Sequence, residues 1–427
     1  MLRPEDNERV TRVSKGTPMG ELFRRYWIPA LLSEELQEKD GAPVRVRLLG
    51  EDLIAFRDSN REIGLLDAYC PHRRAPMFFG RNEDCGLRCV YHGWKFDRHG
   101  NCTDMPSEPA GTPLQAKVKI ASYPIVERGG IIWTYMGPKD TMPEPPDYEW
   151  MRAPQSHRFV SKTFEDCNWL QAMEGGLDTA HSSFVHNEFI GNEASLRNQD
   201  RSPRIEVERT DYGYYYVSTR SLKDGSSYCR LYHYVMPNQQ MRSGTVKFLA
   251  GAGDEDPHAV PKMDGHFWVP IDDEHTYVYN WSCAVTENGF PDGWIERWES
   301  FMGRGADDLI PGTYRLKRNL ANDYMIDREL QRTKTYSGIK GLNTQDYALQ
   351  EGMGPIVDRS KEFLGTSDRA IVAMRRQLIE ATHQVERGER PPAADPATHR
   401  NIRPVDRILD AGQAWKDVFA KAAVPKW

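Results

Sequence analysis

The sequence predicts an α+β protein with two halves, an all-β N-terminal half and a C-terminal half in which helices cover an antiparallel sheet. Three observations support this prediction. Short runs within residues 1–155 alternate apolar and polar side chains, which is typical of β-strands. A proline-rich stretch, Pro138–Pro154, then interrupts the chain. Beyond it, alternating segments precede longer segments of helical periodicity, so we expect a helix-grip-like arrangement.

In the first half, one short helix precedes a series of strands. The helix is predicted over Met19–Trp27, directly after the turn signal Gly16-Thr17-Pro18. Pro43–Phe56 alternates and is broken at Gly50-Glu51-Asp52, which predicts a β-hairpin. Further strands are predicted over Ile63–Tyr69, Leu87–Tyr91 and Lys117–Ile120.

The proline-rich stretch cannot support a helix or a central strand, so we interpret it as the link between two domains, residues 1–155 and 156–427. A helix is predicted beyond the link over Cys167–Val185. The predicted strands are Ile205–Arg220, Tyr228–Met236 and two within His266–Val285. The later helices are predicted over Trp294–Met302, Ser367–Arg387 and Val405–Ala422.

Composition and charge exclude several classes of protein. The 427 residues contain 56 Lys and Arg against 62 Asp and Glu, a net charge of -6, so no basic field is present to bind nucleic acid. The mean hydropathy is -0.68 and no apolar run is long enough to cross a membrane. The charged first residues lack the apolar segment of a secretory signal. We therefore expect a cytoplasmic protein without nucleic-acid or membrane partners.

The cysteines point to a metal site. Of seven cysteines, four crowd into 33 positions, unlike a disulfide framework: Cys70, Cys85, Cys89 and Cys102.

Two mixed pairs stand out in this region: Cys70-x-His72, then sixteen residues, then Cys89-x-x-His92. Each pair offers one thiolate and one imidazole from a short loop. A Rieske centre needs this donor set, because two thiolates bind one iron and two imidazoles the other. A structural zinc site has the same inventory, but zinc sites normally pair Cys with Cys and His with His.

The surrounding segment, HRRAPMFFGRNEDCGLRCVYHGWKFD, resembles the α-subunits of Rieske non-heme iron aromatic-ring-hydroxylating oxygenases, and most closely the phthalate dioxygenase branch. The resemblance implies that Cys70 and Cys89 bind one iron of a [2Fe-2S] cluster, and His72 and His92 the other. It also implies an N-terminal Rieske domain followed by a catalytic domain. Cys85 and Cys102 match no ligand position and are interpreted as buried or surface thiols.

A second group of potential ligands lies in NWLQAMEGGLDTAHSSFVH. Glu174, Asp178 and His181 fall at i, i+4 and i+7, on one face of a predicted helix. His186 lies five residues after His181, so the helix must end or bulge between them for both rings to converge. Two histidines and one carboxylate form the facial triad that suits non-heme Fe(II).

The family resemblance supplies the missing carboxylate. Members carry it in a motif close to NTQDYALQEGMGPIVDRSKEFLGTSD, which assigns Asp346 here. From the residues alone, Glu351 and Asp358 are nearly equal alternatives.

The resemblance also implies a role for Asp178. The corresponding aspartate in the family links an iron-binding histidine of one subunit to a cluster histidine of its neighbour, which gives a path from His92 through Asp178 to His181. Such a contact implies a closed homo-oligomer, either a trimer or a hexamer of two stacked trimers. Many relatives have Asn where this chain has Glu174, which leaves the role of Glu174 open between function and structure.

The expected function is that of a terminal oxygenase. One [2Fe-2S] cluster and one Fe(II) per subunit use O2 to hydroxylate an aromatic carboxylate such as phthalate or a substituted benzoate. No G-x-G-x-x-G follows a predicted strand, so NAD(P)H must act through a separate flavin and iron-sulfur reductase. The alternatives are an O-demethylase or monooxygenase acting on an aromatic acid and a pure Rieske electron carrier.

An aromatic carboxylate needs a cation in the pocket, preferably an arginine that binds it in bidentate fashion. The candidates in the second half are Arg220, which ends a predicted strand, Arg230, which lies within the next one, and Arg242, which follows MPNQQM. We also consider that the C-terminal segment, Val405–Trp427, supports stacking of trimers.

Overall fold

The computed structural model describes residues 1–187, 195–246 and 260–427. The first half begins with two helices and continues as short strands. Its helices are α1 (Pro4–Thr11), α2 (Pro18–Phe23) and α3 (Leu114–Lys117). Its strands are β1 (Trp27–Leu32), β2 (Val44–Leu48), β3 (Glu51–Arg57), β4 (Ile63–Asp67), β5 (Arg81–Glu83), β6 (Gly86–Arg88), β7 (Lys95–Phe96), β8 (Cys102–Asp104), β9 (Ile125–Arg128) and β10 (Ile131–Tyr135).

These strands form three antiparallel sheets with the orders β1-β10-β9, β2-β3-β4 and β5-β6-β7-β8. The predicted hairpin is present as β2 and β3. Its two turn residues, Leu49 and Gly50, have φ of 49° and 77°, the left-handed values of a tight hairpin turn. Their N–H groups donate to the carbonyls of Pro270 and Ile271 at 3.1 and 2.8 Å, which fastens the hairpin to the second half.

The second half contains a large sheet and a set of covering helices. Its strands are β11 (Arg158–Glu165), β12 (Arg204–Thr210), β13 (Gly213–Ser221), β14 (Ser227–Val235), β15 (Gln239–Gly244), β16 (Lys262–Pro270), β17 (Thr276–Ala284) and β18 (Val405–Leu409). Its helices are α4 (Glu149–Arg152), α5 (Trp169–Leu177), α6 (Leu196–Gln199), α7 (Trp294–Met302), α8 (Arg328–Thr333), α9 (Leu342–Gly352), α10 (Arg369–Glu386) and α11 (Trp415–Ala422).

In the described ranges, this sheet is antiparallel with the order β11-β17-β16-β15-β14-β13-β12, and β18 pairs with the free part of β14. Helix α5 contacts β16, and α10 contacts β12 and β13. The predicted fold class, an all-β half followed by an antiparallel sheet covered by helices, is confirmed.

Several predicted elements differ from the structure, among them Met19–Trp27, where α2 ends at Phe23, and Leu87–Tyr91, where β6 ends at Arg88. The helix over Cys167–Val185 spans only α5, because the chain turns extended at Asp178. Lys117–Ile120 is the end of α3 plus an isolated bridge between Lys119 and Asn101. Val405–Ala422 is strand β18 followed by α11, separated at Gly412 with φ of 79°. The proline-rich link also holds the four-residue helix α4, between its prolines.

Two hydrophobic cores matter for function. The larger core joins β1, β10 and the N-terminal helices to the large sheet, so it spans both halves. A smaller core surrounds the cysteine-rich loops and contains Ile54, Phe56, Leu66, Cys70, Met77, Leu87, Cys89, Trp94, Phe96, Cys102, Met105 and Ile120. The domain boundary at residue 155 stays a prediction. Across the three described ranges, every helix is too short or too polar to span a bilayer.

Candidate metal centres and substrate cavity

The two cysteine-histidine loops repeat one backbone pattern. In the first loop, Cys70 donates its N–H to the carbonyl of Ala75 at 2.9 Å, and its carbonyl accepts from Arg74 at 2.8 Å. In the second loop, Cys89 donates to Trp94 and accepts from Gly93, both at 2.9 Å. Arg74 and Gly93 both have positive φ, 58° and 77°. The sequence thus builds two equivalent turns, each presenting one sulfur and one imidazole.

The four side chains of these turns converge inside the smaller core. Cys70 and Cys89 are buried, and contact between their sulfurs raises the pKa of Cys70 and lowers that of Cys89. The His72 and His92 ring centroids lie 4.4 Å apart, and His72 stacks on Trp94 at 4.3 Å.

One buried nitrogen in this group lacks a partner. His72 Nδ1 is buried without a hydrogen bond to any described residue. A buried ring nitrogen of this kind is costly unless it is bound to something, such as an iron ligated by the imidazole. The donor set and this orphaned nitrogen fit a Rieske cluster.

The second site lies where α5 ends. Two glycines let α5 pack closely against its neighbours at this site. A Cβ on Gly175 would lie 1.9 Å from Gln350 Nε2, and a Cβ on Gly176 would lie 2.3 Å from the Trp268 ring. The hydroxyl of Tyr216 donates to the last helical carbonyl, Leu177, at 2.9 Å.

Asp178 then stops the helix. Its Oδ1 accepts from the N–H of Ala180 at 2.7 Å, a local turn that competes with continued helix. A short 3₁₀ turn follows at His181–Ser183. Asp178 and His181 therefore do not share a helix face as predicted, but the turn still brings them together.

His181, His186 and Asp346 form a compact group. His181 Nε2 and His186 Nε2 lie 3.2 Å apart. Asp346 Oδ1 lies 3.5 Å from His181 Nε2 and 3.3 Å from His186 Nε2. Metal–ligand bonds of about 2.1 Å place neighbouring ligands of one ion about 3 Å apart. Among the described residues, this is the group of three His, Cys, Asp or Glu side chains close enough to hold a single ion.

The other nitrogen of each ring is held by a protein oxygen. His181 Nδ1 lies 3.4 Å from Asp178 Oδ2, and His186 Nδ1 lies 2.8 Å from Gln345 Oε1. Gln345 donates its own amide to the carbonyl of Ile339 at 2.8 Å, which fixes its oxygen toward the ring. Both imidazoles can therefore carry their proton on Nδ1 and direct an unprotonated Nε2 at a metal.

The alternative carboxylates are engaged elsewhere. Glu351 accepts hydrogen bonds from Tyr324 and from the N–H of Asp166, and Asp358 caps an exposed turn beside Lys361.

Glu174 takes part in buried structural ion pairs. It contacts Arg359 at 2.9 Å and Arg375 at 2.6 Å. Burial opposes ionisation of Glu174, but these two guanidinium groups lower its pKa overall. The pairs fix α5 to the C-terminal helices.

A cavity opens beside this group and carries an unusual density of charge. Its walls include Asp178, His181, His186 and Asp346 together with Arg197, Arg230, Arg242, Lys262, Asp264, His266, Tyr232 and Trp268. Burial and the neighbouring Arg230 lower the pKa of Arg197 to about 10, so it remains a cation at neutral pH. Although burial opposes its charge, Arg242 and Lys262 lower the pKa of Asp264 to about 2.

The three predicted substrate arginines separate into two groups. Arg230 and Arg242 line the cavity, where Arg242 is paired with Asp264. Arg220 lies outside the described cavity wall and donates to Ser183 Oγ and the carbonyls of Thr179 and Asp200. It braces the turn that carries His181.

The sequence analysis missed several residues of this wall. Lys262, Asp264 and His266 alternate on one face of β16, and this period-two polar pattern was their available signal. Arg197 on α6 and Gln345, next to Asp346, carry no pattern of their own.

Comparison with known proteins agrees with this arrangement. Residues 26–124 match the Rieske [2Fe-2S] domain, and residues 134–424 match the LigXa C-terminal domain like family. The latter match begins before the predicted boundary at residue 155.

Two relatives and one solved structure illustrate the likeness. The chain is 40% identical to the phthalate 4,5-dioxygenase oxygenase subunit of Pseudomonas putida, over 99% of this chain and 95% of that one. It is 36% identical to the 3-chlorobenzoate-3,4-dioxygenase oxygenase subunit of Comamonas testosteroni, over 93% of each. The fold matches that of a Pseudomonas putida CBB5 NdmA mutant with theobromine, at 18% identity and a TM-score of 0.61, over 92% of this chain and 99% of that one. The chain therefore belongs to the α-subunits of the Rieske non-heme iron aromatic-ring-hydroxylating oxygenases, in the phthalate dioxygenase branch.

Proposed function

We propose that this chain is the terminal oxygenase that hydroxylates an aromatic carboxylate, such as phthalate or a substituted benzoate, with O2 and electrons from a separate NAD(P)H-dependent flavin and iron-sulfur reductase. The observation that carries this proposal is the cation-rich cavity that shares a wall with His181, His186 and Asp346. Guanidinium and ammonium groups attract carboxylates, and the tyrosine and tryptophan of the wall suit a ring.

The proposal assigns two metal centres to each subunit. Cys70, His72, Cys89 and His92 would hold the [2Fe-2S] cluster, and His181, His186 and Asp346 would hold one Fe(II). When bound, the cluster supplies single electrons and the mononuclear iron activates dioxygen beside the ring. The protein orients the iron-binding rings through Asp178 and Gln345.

Asp178 is also proposed as the bridge between subunits. It would connect His181 to His92 of the partner subunit in a trimer or a hexamer of stacked trimers. Val90 and Tyr91, beside His92, are 57% and 54% exposed, which gives this edge of the cluster loops an apolar contact surface.

The cavity wall carries cations that suit a carboxylate substrate. Arg197, Arg230, Arg242 and Lys262 line it together with Asp264. Phthalate, which has two carboxylates, is therefore the first substrate to test.

Turnover with a surrogate reductase and labelled dioxygen tests the proposal. We expect phthalate to give a cis-diol with both labelled oxygen atoms, and we expect Arg230→Met to raise KM by about tenfold or more with the iron content unchanged. A product with one labelled oxygen, or loss of a methyl group from methoxybenzoates, would instead identify a monooxygenase or O-demethylase. Unaltered kinetics in Arg230→Met and Arg242→Met would contradict the substrate site.

A further inference from the structure

Asp406, on β18, has more hydrogen-bond donors than a carboxylate usually receives. It is fully buried. Oδ1 accepts from Ser243 Oγ at 2.6 Å, Thr245 Oγ1 at 2.6 Å and Thr245 N at 2.9 Å. Oδ2 accepts from Val246 N at 3.0 Å and Tyr228 Oη at 3.2 Å. Four of these five donors belong to the end of β15 and the two residues after it, so one carboxylate holds this segment in a fixed position.

The position of β18 explains why Asp406 can hold the end of β15. We call Asp406 and its donors the Asp406 clamp. On β14, strand β15 pairs only with residues His233–Val235 at the strand's end. Strand β18 pairs with the beginning of β14, where Arg230 lies directly opposite Asp406. Opposite residues of an antiparallel pair project from the same sheet face, so Asp406 stands between Arg230 and the end of β15.

The cavity residue Arg230 connects the Asp406 clamp to the cavity by a direct contact. Arg230 donates its Nε to the carbonyl of Ser243 at 2.6 Å, and its guanidinium lies over the Tyr232 ring at 5.1 Å. Ser243 is the residue whose hydroxyl Asp406 holds. The carboxylate thereby fixes the carbonyl that aims Arg230, and its charge lies next to this cation.

We infer that Asp406 is a positioning residue that sets the orientation of Arg230 for the substrate carboxylate, so that the C-terminal strand controls substrate affinity. This inference rests on the proposed function, since Arg230 is there assigned to substrate binding. Asp406 itself is not among the described residues that line the cavity, and its donors, Tyr228, Ser243, Thr245 and Val246, include no proposed iron ligand.

A double-mutant cycle on the iron-loaded, full-length protein tests the inference. We expect Asp406→Asn to raise KM for phthalate about tenfold, because hydrogen bonds to a charged group are lost, while kcat stays within about twofold. In an Arg230→Met background, Asp406→Asn should change KM by less than about twofold, since coupled residues are not additive. Anaerobic calorimetry with phthalate provides the same comparison as dissociation constants.

Three results are distinguishable. An Arg230→Met protein with wild-type phthalate affinity would overturn the role of Arg230 in substrate binding, and the inference with it. Additive effects of Asp406→Asn and Arg230→Met on KM would overturn the positioning role and leave the substrate site standing. Equal losses of kcat and iron content in Asp406→Asn would assign the residue to general structure and also overturn the inference.

A milder variant and a control complete the design. Thr245→Val removes one donor from Asp406, and we expect a smaller rise in KM that again disappears in the Arg230→Met background. This cycle decides the question if Asp406→Asn does not fold. Asp410→Asn changes an exposed carboxylate of the same segment and should match the wild type.

Discussion

The two proposed metal sites are assembled in opposite ways. The proposed cluster ligands come from two loops within residues 70–92, both rooted in one small core. The proposed iron ligands come from segments far apart, since Asp346 lies 165 positions after His181, and they meet only where α5 and α9 pack together. The cluster site therefore depends on local turns, and the iron site depends on the packing of the large core. Damage to one should leave the other intact.

Removal of a ligand is the most severe test of this independence. We expect His186→Ala to lose the mononuclear iron and all product formation but to keep the Rieske signal in electron paramagnetic resonance. We expect Cys89→Ser to lose the cluster and to keep the group of His181, His186 and Asp346. Loss of the cluster signal in His186→Ala would break the comparison.

Glu174→Gln should lower the free energy of unfolding of the large core and leave the cluster site unchanged. Removing this charge leaves two buried guanidinium groups without full compensation, which costs about 3–5 kcal/mol of stability. Chemical denaturation followed by tryptophan fluorescence measures the loss, and the cluster absorbance of the folded protein should be unchanged. The surface pair of Glu329 with Arg332 provides the control, because Glu329→Gln should change stability by less than about 0.5 kcal/mol.

Acid should weaken the large core through buried histidines such as His399. Burial lowers the pKa of His399 to about 4, whereas an imidazole in the unfolded chain titrates near about 6.5. The neutral ring therefore contributes its full stability above about 6.5, the pKa of the unfolded chain. This contribution is lost as the pH falls toward about 4, the pKa of His399 in the folded protein. Relative to His399→Gln, the wild type should lose about 1.4 kcal/mol per pH unit within this window.

The control for this titration is the exposed His383. Unfolding free energies of wild type, His399→Gln and His383→Gln are compared at several pH values between 6.5 and 4. A constant difference between wild type and His399→Gln would contradict the buried, neutral ring.

Gln345→Leu should weaken iron binding without removing it. The variant loses the oxygen that orients His186, which lowers metal affinity about 10–100-fold. Iron retention during graded chelation measures this effect, and the cluster should be unaffected. Gln413→Leu, at an exposed position, should retain iron like the wild type.

The smallest effect concerns Arg74 and Gly93, the equivalent positions of the two cysteine-histidine loops. Gly93→Ala places a Cβ 2.6 Å from the Pro106 ring at a φ of 77°, and the strained backbone costs about 1–2 kcal/mol. Arg74→Gly relieves a positive φ and should not lower the temperature at which the cluster absorbance disappears. A wild-type temperature in Gly93→Ala would contradict the equivalent turns.

This contrast also explains what the sequence could predict. The cluster motif is local, so Cys70, His72, Cys89 and His92 could be chosen from spacing alone. Asp346 could not, because nothing in the sequence separates it from Glu351 and Asp358 without the family resemblance. Part of the large sheet was predicted from alternation, but β11 and β15 were not predicted. Strand β18 was mistaken for helix because its pairing partner, β14, lies far away in sequence.

The substrate cavity was the least predictable part. Arg230 and Arg242 were named only as cations of the second half, together with Arg220, which the fold directs to the turn of His181. Which arginine faces a cavity depends on the register of neighbouring strands. The alternation of Lys262, Asp264 and His266 became meaningful only once β16 was placed beside the iron ligands.

Metal analysis combined with electron paramagnetic resonance of the anaerobic wild type tests the two-site account most directly. We expect about three irons and about two acid-labile sulfides per chain, with a Rieske signal after reduction. Two irons per chain, or no Rieske signal from the reduced protein, would contradict it.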